Sequence, residues 1–405
     1  MTEILFLAHR APWPPDRGDR IRSWHLLQAL AKLGPAHVAA YADTPEDAAI
    51  AMPMLRKVAA SSFVPVRDRS AAVAAALSIP RLAPLSCGLF GGGGMAEHVS
   101  DIIATRPITH IVAFSGPMAQ FIPGDFAGRV IMDFCDVDSA KFDAYAAKDS
   151  ALSPMRWVHA YEAWRLAAWE KRVANRADTS LFVSEAEAAL FKARTALGGD
   201  NVHCLENGID LTRFDPAGDW PALSATERPA GPLAVFTGQM DYRPNVDAVS
   251  NFARAVMPLL RAKIPQAQFA IVGRAPTAEV RALAELPGVM VTGAVPDTRS
   301  WLGAADAVVA PLLVARGVQN KLLEAMAMAR PVVSSPYAAT GIDAKPGRDL
   351  IVADGARATA DALIVLYADP ARAAAIGAAA RAQMIARYSW DATLAPLAEM
   401  IGIAP

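Results

Sequence analysis

The chain has 405 residues, 53% of them apolar and 20% charged, with a net charge of −1. That length suits two domains of ordinary size, and the composition excludes disorder and gives no support to a nucleic-acid binder. The three cysteines, Cys87, Cys135 and Cys204, form no CxxC pair or Cys/His cluster. Neither a disulfide framework nor a zinc site is indicated, and a reducing, cytoplasmic compartment is expected.

Along the chain, short apolar runs alternate with longer helical patterns, which is the signature of βαβ units and a parallel sheet. Ile4 to Ala8 reads as a first strand; a secretory signal would need a longer apolar region behind a basic start. A loop punctuated by Pro12, Pro14, Pro15 and Gly18 follows, then a helix from about Arg20 to Leu33 and a strand from His37 to Tyr41. The longest uncharged stretch, Leu82 to Ala96, is too short and too rich in glycine to span a bilayer, so no integral membrane protein is expected. Within it, Gly91 to Gly94 lack a following Lys-Ser or Lys-Thr and read as a flexible loop instead of a P-loop.

Further strands are expected at Ile108 to Phe114, Val130 to Phe134 and Thr179 to Val183. Between the last two, a helix from Met155 to Arg176 carries Trp157, Tyr161, Trp164 and Trp169 beside Arg156, Arg165, Lys171 and Arg172. Its aromatics are expected to pack into the N-terminal domain; a second reading lays the helix on an anionic membrane surface. Asn207 to Pro232 is dense in Pro, Gly and Asp and reads as a linker. A second series then begins: Leu233 to Thr237, Gln268 to Val272, Val289 to Val291, Ala307 to Pro311 and Pro331 to Ser334, with closing helices from about Thr359. The expected fold is α/β, two Rossmann-like doubly wound domains facing a cleft.

The segment from Arg316 to Ser335 is the most informative. It follows an apolar strand, opens with Gly317 and turns helical near Asn320. A helix N-terminus offers N–H groups and partial positive charge to a phosphate. Lys321 adds a full charge there, and Glu324, at i+3 on the same face, can accept hydrogen bonds from vicinal ribose hydroxyls. The same two residues also read as an ordinary surface Lys–Glu pair. Asp16 to Arg22 falls at the carboxyl edge of the first strand, where ligands bind in such sheets. It lacks the G-x-G-x-x-G of a dinucleotide site, and reads equally as a solvated turn with a capping Asp19. Asp133, Asp136 and Asp138 lack the glycine and distal glutamate of a calcium loop. Asp136 is read either as a site carboxylate or as part of a strand-end turn with local hydrogen bonds.

These segments together resemble the retaining GT-B glycosyltransferases of family 4. The resemblance rests on the Leu322-Leu-Glu-Ala-Met326 helix, on Phe236-Thr-Gly-Gln-Met-Asp-Tyr-Arg-Pro-Asn245 and on Phe269-Ala-Ile-Val-Gly-Arg274. It rests also on Val291-Thr-Gly-Ala-Val-Pro-Asp297, Leu181-Phe-Val-Ser184 and Asn207-Gly-Ile-Asp210. One departure stands out: the family places a first glutamate eight residues before the second, and Arg316 occupies that position. That glutamate normally binds the sugar ring, so the departure leaves the donor sugar unspecified, with Asn320 or Gln319 replacing some of its contacts. Gly317-Val-Gln-Asn-Lys321, Met240-Asp-Tyr-Arg-Pro-Asn245 and Asp133-Phe-Cys-Asp-Val-Asp-Ser139 resemble a narrower subgroup, the exopolysaccharide sugar transferases associated with PEP-CTERM and exosortase systems.

The resemblance implies a hexosyltransferase that moves a sugar from a nucleotide-diphosphate donor to a glycan or polyprenyl-diphosphate-linked acceptor, with retention and without metal or other cofactor. It implies that Arg243, Lys321 and Glu324 grip the donor, with Asp136 near the transferred group. Gly238, Gly273, Arg274, Val295, Gly317, Gln319 and Asn320 line the nucleotide-sugar site, and Arg17, Gly18 and Asp19 face the acceptor. The implied organisation is an acceptor domain at 1–206, a donor domain at 207–386 and a terminal segment, 387–405, that crosses back to the first. The implied location is the cytoplasm, with peripheral contact at the inner face of the membrane as a further reading. Rival readings are a nucleotide-sugar epimerase of the same architecture and a catalytically impaired sugar-nucleotide-binding protein.

Overall fold

A computed structural model describes residues 2–150, 153–196, 200–224, 226–313 and 318–403. The chain divides into two compact units, Met1–Asn207 with Thr393–Pro405, and Gly208–Ala392. Each has its own apolar core.

The first unit is built on seven strands: β1 (Glu3–Ala8), β2 (Ala36–Ala40), β3 (Ser61–Phe63), β4 (Ile108–Phe114), β5 (Arg129–Cys135), β6 (Thr179–Phe182) and β7 (Val202–Cys204). All pair in parallel in the order β3-β2-β1-β4-β5-β6-β7. A sheet covered by helices on both faces needs continuous apolar strands, and every residue of β1 is buried. The second unit repeats the plan with β8 (Leu233–Thr237), β9 (Gln268–Val272), β10 (Val289–Gly293), β11 (Ala307–Ala310), β12 (Val332–Ser334) and β13 (Ile351–Val352). Its parallel order is β10-β9-β8-β11-β12-β13. The α/β class and the two Rossmann-like sheets expected from the sequence are therefore present. β3, β7 and β13 are new; each spans two or three residues at or beside a sheet edge, too short for a periodic pattern to register.

Two local expectations need correction. Gly91 to Gly94 form a packed turn, not a free loop. Tyr41 Oη donates to the Gly92 carbonyl (2.6 Å), and Gly93 and Gly94 adopt φ of +68° and +72°, which favour glycine, just before the Met95–Thr105 helix. The supposed linker packs on the second unit: Ile209 and Phe214 join its core, and Trp220 lies against Gly303 so closely that a Cβ there would overlap the ring. Its Pro, Gly and Asp content reflects tight turns on a surface. The last residues, Thr393–Pro405, belong to the first unit, where Thr179 Oγ1 donates to the Met400 carbonyl (2.7 Å).

Both sheets share one topological feature. Strand order reverses between β1 and β4 in the first unit and between β8 and β11 in the second. Parallel sheets of this kind leave a crevice at the carboxyl ends of the strands that flank such a reversal.

Candidate active site

In the second unit the crevice floor is made of glycine. Gly238 follows β8 and Gly273 follows β9, and their backbones lie against each other: a Cβ at Gly273 would overlap the Gly238 carbonyl. Gly238 N donates to Val272 O (3.0 Å), Met240 N to Arg274 O (2.9 Å) and Gly273 N to Gly293 O (3.1 Å). These bonds tie together the loops after β8, β9 and β10, and φ of +159° and +156° at Gly238 and Gly273 fits this close approach.

Above this floor starts the Asn320–Ala327 helix. Leu322, Leu323 and Met326 are buried in the core, so Lys321 and Glu324 share the remaining face. Gln319 precedes the helix in extended conformation without a side-chain cap. Lys321 does not turn along its helix to Glu324. Its Nζ lies 4.0 Å over the ring of Phe236 on β8 and donates to Asn245 Oδ1 (2.6 Å) on the Arg243–Asn251 helix that follows. Asn245 is buried and fixed by its own bond from Nδ2 to the Gln239 carbonyl (2.9 Å). A Cβ at Gly238 would come within 2.8 Å of Asn245 Nδ2 and 3.2 Å of Lys321 Nζ, so the bare backbone is what leaves room beside the ammonium.

Charge here is costly. Desolvation pulls the Lys321 pKa down to about 8 against the pull of Glu324, and pushes Glu324 up to about 7 despite Arg213 and Lys321. Two groups with opposed, environment-driven shifts beside a glycine floor mark a ligand site more than a stabilising pair.

The other candidates fall around this centre. Asn320 and Gln319 lie at the helix start; Gly317 and Arg316 lie outside the described residues. Arg274 reaches Gln239 Oε1 (3.1 Å), on the same loop as the Gln239 carbonyl held by Asn245. Arg243 is exposed and paired with Asp247 (2.7 Å) and Glu279 (3.7 Å), so it does not join the Lys321 cluster in this conformation. Val295 is half-buried and lines a pocket of about 490 Å³ with Leu223, Pro296 and Trp301.

The crevice of the first unit is different. Asp19 does not cap its helix. Its carboxylate gathers His9 (3.2 Å), Arg10 (2.9 Å) and Arg17 (2.9 Å), which together hold its pKa far down against partial burial. Gly18 meets nothing within 4 Å of its would-be Cβ and starts the Gly18–Leu33 helix, so internal packing does not require glycine there. His9, at the end of β1, stacks on Phe114 at the end of β4 (5.7 Å). Asp136 is exposed just beyond β5, and partial desolvation with Glu187 and Asp138 nearby raises its pKa. Asp133 is no part of an open acidic group: it is fully buried and accepts from Arg22 Nε (2.8 Å). Arg22 also donates to Leu205 O (2.8 Å) and Asn207 Oδ1 (2.9 Å).

Arg22 and Asn245 fall within the motifs described above, but nothing local in the sequence assigns a role to either, or to His9 or the Phe236 ring. Their partners lie 111 positions away for Arg22–Asp133 and 76 for Lys321–Asn245, with no local signal to connect them.

Two Rossmann-like parallel-sheet domains in tandem are the fold class of the GT-B glycosyltransferases. Anabaena HepE in complex with UDP superposes with a TM-score of 0.61 at 16% identity, covering 99% of this chain and 100% of that one. Residues 231–369, most of the second unit, match the family described as Glycosyl transferases group 1. A phosphatidyl-myo-inositol mannosyltransferase of Propionibacterium freudenreichii is 31% identical over 40% of this chain and 40% of its own length. A GDP-mannose-dependent monoacylated alpha-(1-6)-phosphatidylinositol monomannoside mannosyltransferase of Corynebacterium glutamicum is 25% identical over 74% of this chain and 91% of its own. At 29–33% identity, the curated relatives are matched over 40–64% of their length.

Proposed function

We propose that this chain is a hexosyltransferase that moves a sugar from a nucleoside-diphosphate donor to a glycan or lipid-linked glycan acceptor. The observation that carries the reading is Lys321, desolvated and held by Asn245 beside Gly238 at the start of the Asn320–Ala327 helix. A diphosphate placed there meets a fixed cation, backbone N–H groups and no side chain from the floor. As the bond from the sugar to the diphosphate breaks, negative charge grows on the departing oxygens where these donors are already aimed. Glu324, one turn on, is suited to accept the ribose hydroxyls. Relatives named as GDP-mannose-dependent favour GDP-mannose as donor, and their phosphatidylinositol mannoside acceptors favour a lipid-linked one.

The finer reading keeps retention of anomeric configuration, independence of metal, a cytoplasmic site of action, a polyprenyl-diphosphate-linked acceptor and a place in exopolysaccharide biosynthesis. These follow from the likeness of residues 317–321 and 240–245 to the family 4 subgroup. Acceptor recognition falls to Arg17, Gly18 and Asp19, with Asp136 near the transferred group.

The test is thermal stabilisation by GDP, UDP and their sugars, followed by product analysis. A ligand at about 100 times its Kd adds roughly 2.7 kcal/mol of stability. GDP-mannose is expected to stabilise most, and no stabilisation by any nucleoside diphosphate would sink the reading. An epimerised sugar nucleotide formed without acceptor would transfer the assignment to an epimerase.

A further inference from the structure

The Pro154–Ala174 helix of the first unit does not bury its aromatics as its sequence leads one to expect. Trp169 does pack inward and donates to the Gly116 carbonyl (2.9 Å). Trp157 and Trp164, however, are 73% and 58% exposed, and Met155 and Val158 are exposed beside them. The turn alongside adds Ile79 and Leu82, 50% and 52% exposed, and is fastened to the helix by Tyr161 Oη donating to Ala83 O (3.2 Å). Indole rings standing free in water are unfavourable unless something covers them.

Charge says what covers them. The helix has two acids, and both are turned inward. Glu162 accepts from Leu85 N (2.6 Å) and Ser86 N (3.0 Å), and Glu170 accepts from Ser139 N (2.9 Å) and Ser139 Oγ (2.6 Å). Its bases face the other way: Arg156, Lys171 and Arg172 are exposed, and Arg165 lies over the Trp164 ring at 4.6 Å. Arg81 adds another exposed base on the neighbouring turn, and the nearby Asp149 is paired with His159 (2.7 Å). Trp157, Ala160, Trp164, Ala168 and Lys171 recur at three- and four-residue steps, so one stripe runs along the helix.

We infer that this face docks on an anionic lipid bilayer. Tryptophan prefers the headgroup boundary, and an aromatic stripe flanked by bases with inward-turned acids is the pattern of a helix lying in the interfacial plane. A second copy of the chain fits less well, because a two-fold contact would set these arginines against one another. The inference does not depend on the role of Lys321.

The experiment is co-sedimentation of the full chain with vesicles of phosphatidylcholine alone or of equal parts phosphatidylcholine and phosphatidylglycerol. The anionic vesicles are expected to bind about tenfold more tightly, weakening as salt is raised. Trp157→Ser/Trp164→Ser should lower that binding by about tenfold while leaving the melting temperature and nucleotide binding unchanged. If that variant misfolds, Arg156→Glu/Lys171→Glu, both at exposed positions, gives the same readout through charge. No binding to anionic vesicles, equal binding to neutral ones, or undiminished binding by a folded variant would overturn the inference. So would a dimer in sedimentation velocity that the tryptophan substitutions convert to monomer, which would give the face to a second copy.

Discussion

The two units share a strand order and differ in what fills the crevice that this order creates. In the second unit the loops after β8 and β9 each open with a glycine, and a desolvated lysine stands beside Gly238. In the first unit the loop after β1 carries His9, Arg10, Arg17 and Asp19 bonded to one another, and deeper in, Arg22 is locked to Asp133. Topology places a crevice, but side chains decide whether it is left with charge to spare for a ligand or satisfies its charges internally. The second unit does the former and the first unit mostly the latter.

The largest difference between the two crevices is expected at Arg22. Replacing it with Met leaves Asp133 buried without its counter-ion, and denaturant unfolding should show a loss of about 3–5 kcal/mol. Arg22→Met/Asp133→Leu should recover most of it, because the pair is structural; a single variant as stable as the parent would refute that role. At Lys321 the opposite balance is expected. Lys321→Ala should lower kcat by roughly 10²–10³ while thermal stability holds or rises, since a desolvated ammonium is removed. Parent-like turnover in that variant would end the case for the site.

A smaller effect sharpens the role of the glycine floor. Gly238→Ala places a Cβ 3.2 Å from Lys321 Nζ. Calorimetric affinity for a nucleoside diphosphate should fall about tenfold, a loss near 1.4 kcal/mol. Gly18→Ala in the first unit, where nothing crowds the position, should change stability by less than about 0.5 kcal/mol.

The subtlest expectation concerns pH. Below about 7 Glu324 takes up a proton and loses its power to accept two ribose hydroxyls, and above about 8 Lys321 loses its charge. Donor affinity, measured across roughly pH 5–10, should peak between these limbs. Glu324→Gln should abolish the acid limb and Lys321→Arg should move the alkaline limb upward; a flat profile in the parent would show that neither group titrates where its burial places it.

Much of this was legible in the sequence. Apolar runs such as Ile4 to Ala8 and Phe269 to Val272 are long enough to be read as buried strands, and the helix start at Asn320 was marked by the residues around it. The features without a local signal are either too short or too distant in sequence. β13 has two residues, and the Asn245 clamp on Lys321 joins positions 76 apart. Arg243 shows a third kind of limit. The sequence reads it as part of the loop after β8, yet it is the first residue of the Arg243–Asn251 helix, and its side chain is engaged with Asp247 one turn on and with Glu279, which only folding brings within reach.

Two parallel α/β units and a common helix face for Lys321 and Glu324 can be read from the residues in order, because both rest on local periodicity. That Lys321 turns to Asn245 and not to Glu324, that Asp133 is sealed against Arg22, and that Trp157 and Trp164 face solvent follows from the folded packing alone. Those outcomes depend on which groups are desolvated together. Desolvation belongs to the packed chain, and no stretch of residues carries it alone.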